Sequence, residues 1–154
     1  MTRSVLCAVD ISNPGQDDHV LKMAHRLADL DGAQLDVITV LPDFGKSVVG
    51  GFFEKGHHDK AVEAARAAMN KQITACLGAD INTAVRHVVA TGSAYEEVLK
   101  LAKESDCGLI VIGAHKPGIA DFFLGPNAAR IVRHSTCNVF VVRARNSPFG
   151  PATD

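Results

Sequence analysis

The sequence predicts an α/β domain: a three-layer α/β/α sandwich built on a five-stranded parallel sheet. Three observations carry that expectation. Short runs rich in β-branched residues recur along the chain, and they have the length and composition of buried strands. The stretches between them repeat apolar residues at helical spacing. The two kinds alternate from the first run to the last, and such alternation with right-handed crossovers places helices on both faces of one sheet. A chain of 154 residues suits one such domain.

In order, Ser4 to Val9 reads as the first strand, ending at Asp10. Asn13-Pro14 supplies a cap and a first-turn proline, so a helix is expected from about Pro14 to Leu30, with Val20, Leu21, Met23, Ala24, Leu27, Ala28 and Leu30 recurring at helical spacing. Leu35 to Val40 is the second strand. Periodicity is then lost from Leu41 to about His58, a stretch with four glycines and three phenylalanines. A loop of that length serves as a lid or partner surface, through Phe44, Phe52 and Phe53, or simply tucks its aromatics against the body. Ala61 to Leu77 is the second helix, with Val62, Ala65, Ala68, Met69, Ile73 and Cys76 on its apolar face and Gly78 as C-terminal cap. Thr83 to Ala90 is the third strand. Ser93 to Glu96 matches a capping box and opens the third helix, whose Val98, Leu99, Leu101 and Ala102 face inward.

The last unit, Leu109 to Arg143, carries the functional signal. Leu109 to Ile112 is a strand stopped by Gly113. A loop with Pro117 and Gly118 leads to Gly125-Pro126, where the proline fits the first position of a helix continuing through Ala128, Ala129, Ile131 and Val132. Val139 to Val142 is the closing strand. A glycine at a strand's carboxyl end allows close approach of a ligand, and the following helix N-terminus favours an anion such as a phosphate. The plain structural alternative is that Gly113, Gly118 and Gly125 only serve tight turns. Residues 144–154 carry two prolines, a glycine and no periodicity, and read as a frayed tail after a domain spanning 1–143.

Composition narrows the function classes. Hydrophobic residues make up 47% of the chain and aromatics only 5%, so the core is aliphatic. A net charge of −1 gives no electrostatic case for nucleic acid or an acidic membrane. Cys7, Cys76, Cys107 and Cys137 form no C-x-x-C pair and read as small packing residues in a reducing compartment. No apolar run reaches the ~20 residues of a membrane span. The N-terminus meets an acid at once and does not read as a signal peptide, so the expected location is cytoplasmic.

The stretch G-A-H-K-P-G-I-A-D-F-F-L-G-P-N-A-A-R-I-V-R-H, followed by V-F-V-V-R, resembles the nucleotide-binding signature of the universal stress proteins, and S-V-L-C-A-V-D-I-S resembles that family's first strand. The similarity covers roughly residues 3 to 143 and is closest to the branch with an S/A-H-R/K-P loop, whose members bind ATP. It implies an adenine nucleotide alpha hydrolase-like sandwich with strand order 3-2-1-4-5, and a crevice between the first and fourth strands for ATP or AMP, with or without Mg2+. Carried over by resemblance, Ala8, Val9 and Asp10 line the nucleoside, and the backbone at Val40 reads adenine. Ile112 and Gly113 lie at the crevice, and Gly113, His115, Lys116, Gly125, Pro126, Asn127 and Ala128 surround the phosphates. Asp10 accepts from ribose hydroxyls or helps hold a divalent ion; its plain alternative is a turn residue. Val40 is otherwise core, and His115 and Lys116 otherwise a solvated loop.

The signature also departs from the family motif G-x2-G-x9-G-[ST]. Lys116 stands at the second glycine, and Pro126 occupies the Ser/Thr position, removing an N–H and a hydroxyl. The N–H groups of Gly125, Asn127 and Ala128 are expected to remain as phosphate donors. Walker A and G-x-G-x-x-G patterns are both missing from the sequence. Ser12, Ser93 and Ser135 lack an elbow motif, the histidines are dispersed, and His57-His58 with Asp59 is a poor metal set. The sequence therefore favours a stress-responsive binding or regulatory module over an enzyme. Two alternatives stay open: a nucleotide-independent protein acting through partner surfaces, or a slow ATPase. Relatives commonly dimerise through their last strands, and Val139, Phe140, Val141 and Val142 suit a homodimer formed by antiparallel strand addition.

Overall fold

Strand β1 (Val5–Ala8) sits at the centre of the sheet. In the computed structural model, which describes residues 3–43, 55–114 and 124–143, the order is β3-β2-β1-β4-β5, with every neighbouring pair parallel. The other strands are β2 (Leu35–Leu41), β3 (Arg86–Thr91), β4 (Leu109–Gly113) and β5 (Asn138–Val142). The helices are α1 (Asp18–Asp31), α2 (Lys55–Leu77), α3 (Ala79–Thr83), α4 (Ala94–Glu104) and α5 (Pro126–His134).

Period-two alternation splits the core into two layers. Val5, Cys7, Val37 and Val111 face α1 and α2, packing on Val20, Leu21, Ala24, Met69 and Ile73. Leu6, Ile38, Ile110 and Ile112 face α4 and α5, packing on Val98, Leu101, Ala128 and Ile131. Leu6, Ile38 and Ile110 are fully buried, each contributing about 1.5–3 kcal/mol of hydrophobic stabilisation. The shared registers Val5 with Leu35 and Val5 with Leu109 lock β1 between β2 and β4.

Several local expectations are corrected. Helix α1 begins at Asp18 rather than Pro14, because residues 11–17 form turns, with the Gln16 N–H donating to the Asn13 carbonyl at 3.1 Å. Helix α2 begins at Lys55, earlier than Ala61, and Ala68 is exposed; Ala65, Met69, Gln72 and Ile73 form the inward stripe. The third strand starts at Arg86 rather than Thr83, since residues 79–83 coil into α3. There the Asn82 side chain donates to Asn70 Oδ1 at 2.7 Å and Thr74 Oγ1 at 2.9 Å, tying α3 to α2. The capping box is not made: Ser93 caps α4 by position only, and Glu96 accepts from the Tyr95 hydroxyl at 3.1 Å instead. Cys7 and Cys107 are buried and all four cysteines are free thiols; burial pushes Cys76 and Cys107 up to about 11.

Among the described residues, Ser4 Oγ, Asp36 Oδ1 and Gln72 Nε2 are buried without a hydrogen-bond partner, and Asp36 is the charged one. Asp36 on β2 is 1% exposed, its Oδ1 has no hydrogen-bond partner, and its Oδ2 lies 3.9 Å from Arg86 Nη1 on β3. Burial raises its carboxyl above the ordinary range and Arg86 opposes that shift. The Phe44, Phe52 and Phe53 stretch and residues 144–154 lie outside the described residues. No helix among the described residues is long and apolar enough to cross a membrane.

Candidate functional site

Chain direction opens a crevice at the carboxyl ends of β1 and β4. After β1 the chain leaves to the face covered by α1; after β4 it returns as α5 on the opposite face. Adjacent parallel strands whose connections diverge leave a gap between them, the usual ligand position in open α/β sheets. A cavity of about 410 Å³ occupies that gap, within the range of small-molecule sites.

Ten of the twelve residues singled out from the sequence line this cavity: Ala8, Val9, Asp10, Val40, Ile112, Gly113, Gly125, Pro126, Asn127 and Ala128. His115 and Lys116 lie outside the described residues. One wall is apolar, formed by Ile38, Val40, Val98 and Ile131. Strand β1 stops pairing with β2 at Ala8 and Ile38, so Val40 and Leu41 run on past it along the cavity. The Val9 N–H donates to the Ile38 carbonyl at 2.9 Å, carrying the ladder one rung past Ala8, and Asp10 follows at the rim.

The first turn of α5 faces the polar end. Pro126 occupies its first position and the preceding Gly125 is extended. The Gly125 N–H donates to the Ala114 carbonyl at 2.8 Å, so the expectation that it could serve a phosphate is corrected. The N–H groups of Asn127 and Ala128, at the second and third helical positions, are among the donors a helix leaves without an intrahelical partner.

Asp17 lines the cavity and was missed in the sequence reading. Its Oδ2 accepts the Asp10 N–H at 2.7 Å, and its Oδ1 stands 3.7 Å from the point a Cβ on Gly113 would occupy. Asp17 is thus bonded to the chain just after β1 and stands beside the end of β4. Burial raises its carboxyl above the ordinary range, with the Asp10 N–H and His19 acting in the opposite direction. The sequence does carry a signal: Asp17 stands three residues before Val20, where the apolar-periodic run begins, in the region of a helix cap. Asn13-Pro14 carries the stronger signal for a helix start and hides it. Asp10 Oδ1 in turn accepts from the Ser12 N–H at 2.9 Å and from the Ser12 hydroxyl.

The arrangement suits a ligand with an apolar planar part, hydroxyls for carboxylates to accept, and an anionic tail. No Lys, Arg or His appears among the described residues lining the cavity. Among the described residues no group of three His, Cys, Asp or Glu side chains could hold a metal. Asp10 and Asp17 are two carboxylates that could share Mg2+ with ligand phosphates, since that ion is commonly held by one or two carboxylates plus phosphate oxygens.

This fold and crevice define an open-sheet α/β protein with a cavity at its switch point. The universal stress protein family model matches residues 1–143, and the chain belongs to that family. It is 30% identical over 149 residues to universal stress protein G of Shigella flexneri, covering 93% of this chain and all of the relative. Among solved structures, MJ0577 of Methanocaldococcus jannaschii superposes with a TM-score of 0.75 at 21% identity, covering 96% of this chain and 99% of that one. The Archaeoglobus fulgidus universal stress protein, solved in complex with dAMP, superposes with a TM-score of 0.59 at 19% identity over 92% of this chain and 98% of its own.

Proposed function

We propose that this universal stress protein binds an adenine nucleotide, AMP or ATP, in the crevice between β1 and β4, and acts as a stress-responsive sensor or regulatory module in the cytoplasm. The observation that carries the reading is the cavity itself: residues from β1, β2, β4 and the start of α5 meet around one space of nucleotide dimensions. Its apolar wall at Val40 and Ile131 suits a base, Asp10 suits ribose hydroxyls, and the Asn127 and Ala128 N–H groups suit a phosphate. The dAMP complex of the Archaeoglobus relative supports the same class of ligand. Any turnover is slow hydrolysis resting on phosphate positioning. We also assign a homodimer formed through β5, an edge strand hydrogen-bonded only to β4 among the described residues.

The test is native mass spectrometry of freshly purified protein, followed by calorimetric titration with adenosine, AMP and Mg-ATP. Co-purified or titratable adenine nucleotide supports the reading. Protein that emerges empty and whose melting temperature does not respond to any of the three favours the second reading, a nucleotide-independent protein working through its surfaces. Pro126 is the feature in its favour, since it withdraws a donor and a hydroxyl from the phosphate end.

A further inference from the structure

The polar end of the crevice holds two carboxylates where an anionic tail would approach. Asp10 is at the rim by chain geometry. Asp17 is there by a specific contact: its Oδ2 takes the Asp10 N–H at 2.7 Å. That bond turns its other oxygen toward Gly113, 3.7 Å from where a Cβ would stand. The glycine that leaves room for a ligand at the end of β4 therefore has a carboxylate beside it. Against this stand the first-turn N–H groups of α5, reduced by Pro126 at the first position.

We propose that Asp17 is a specificity-determining residue that sets the charge the crevice accepts, admitting adenosine, a monophosphate or a Mg2+-neutralised triphosphate and rejecting the bare triphosphate. The inference rests on the nucleotide-binding reading above. A like charge a few ångströms away in a partly desolvated cleft is poorly screened, so each added phosphate charge without a counter-ion weakens binding. A bound Mg2+ would offset the repulsion, and Asp10 and Asp17 are the residues that would hold it beside phosphate oxygens. Asp17 can play this part without harm to the fold, because the hydrogen bond from Asp10 needs only an oxygen acceptor.

The Asp17→Asn variant keeps that acceptor and removes the charge. Calorimetric affinities of the wild type and the variant are measured for adenosine, AMP, ATP with EDTA and ATP with Mg2+, and circular dichroism confirms the folded state. Asp17→Ser, smaller and uncharged, is measured alongside as a second variant. In the wild type, Mg2+ is expected to raise ATP affinity tenfold or more; in Asp17→Asn, metal-free ATP is expected to bind about tenfold tighter than in the wild type, shrinking the magnesium effect. Adenosine, which carries no phosphate charge for Asp17 to repel, is the reference: any change in nucleoside affinity is divided out, and the ratio of metal-free ATP to adenosine affinity is expected to rise about tenfold in Asp17→Asn. If both proteins bind adenosine alike and the ratio of metal-free ATP to Mg-ATP does not move, the role of Asp17 is overturned while the pocket reading stands. If neither protein binds adenosine, AMP or Mg-ATP, the pocket reading falls and this inference with it.

Discussion

The Gly125 N–H donates to the Ala114 carbonyl at 2.8 Å. This bond returns the chain to the end of β4 just before α5 starts, and so aims the helix's first turn at the crevice. It also consumes the donor nearest the cavity floor. What the helix still offers an anion are the N–H groups of Asn127 and Ala128.

Pro126 is where the site falls short of its family pattern, and it can be repaired. Pro126→Ser restores an N–H and a hydroxyl at the first helical position, each able to donate a charge-assisted hydrogen bond. AMP affinity is expected to rise about tenfold, with a stability loss under about 1 kcal/mol because a proline there is favourable but not essential. Isothermal titration reads the first and chemical denaturation the second. An affinity that stays level would mean that the ligand's phosphate does not sit at the start of α5.

Gly113 leaves room at the cavity floor. A Cβ there would meet Val20 Cγ2 at 3.4 Å and Asp17 Oδ1 at 3.7 Å, ordinary contacts that the fold can absorb. Gly113→Ala is therefore expected to stay folded, within about 1 kcal/mol of the wild type, and to bind AMP about tenfold more weakly as the methyl narrows the floor. Equal affinity would locate the ligand away from the end of β4.

Asp36 makes stability depend on pH in a direction opposite to the usual carboxylate. Its folded pKa lies above the ordinary 3.8, so the folded state holds the proton more tightly than the unfolded chain does. The contribution is most favourable below 3.8 and is lost as pH rises through the folded value. Asp17, shifted the same way, adds a term of the same sign. Asp36→Val places a β-branched residue in β2 and removes the buried charge, leaving Arg86 with a half-exposed side chain that water can serve. The variant is expected to be about 1 kcal/mol more stable than the wild type at neutral pH, with the gain shrinking toward acid. Denaturation midpoints across the pH range check this, and a variant less stable at neutral pH would show that the Arg86 pair outweighs the burial cost.

The β5 edge carries Phe140, 36% exposed. If two chains pair this strand antiparallel about a two-fold axis, each Phe140 lies close to its symmetry mate across the join. Phe140→Asp sets like charges there and is expected to convert a dimer to a monomer, read by light scattering over a concentration series. A wild type already monomeric at every concentration would remove the dimer through β5.

Much of the fold was legible because its causes are local. The β-branched runs at Val5 to Ala8 and Leu109 to Ile112, and the helical stripe through Val20, Leu21 and Ala24, bury themselves wherever they pack, so their type follows from neighbours in the chain. Boundaries were less legible where two local signals competed. Asn13-Pro14 reads as a helix start, yet the turn residues around Gly15 hold the chain back until Asp18. Likewise, Ser93 and Glu96 have the spacing of a capping box, but Tyr95 takes the Glu96 carboxylate.

The sequence by itself determined the type of the longer segments, the aliphatic core, and ten of the residues around the crevice, since these follow from periodicity, side-chain shape and a family signature. Only the tertiary structure decided that Val5 pairs with both Leu35 and Leu109, that the Gly125 N–H is spent on Ala114, and that Asp17 reaches across to Gly113. These contacts join residues far apart in the chain. Their formation depends on how the strands line up in space, and no local run of residues carries that information.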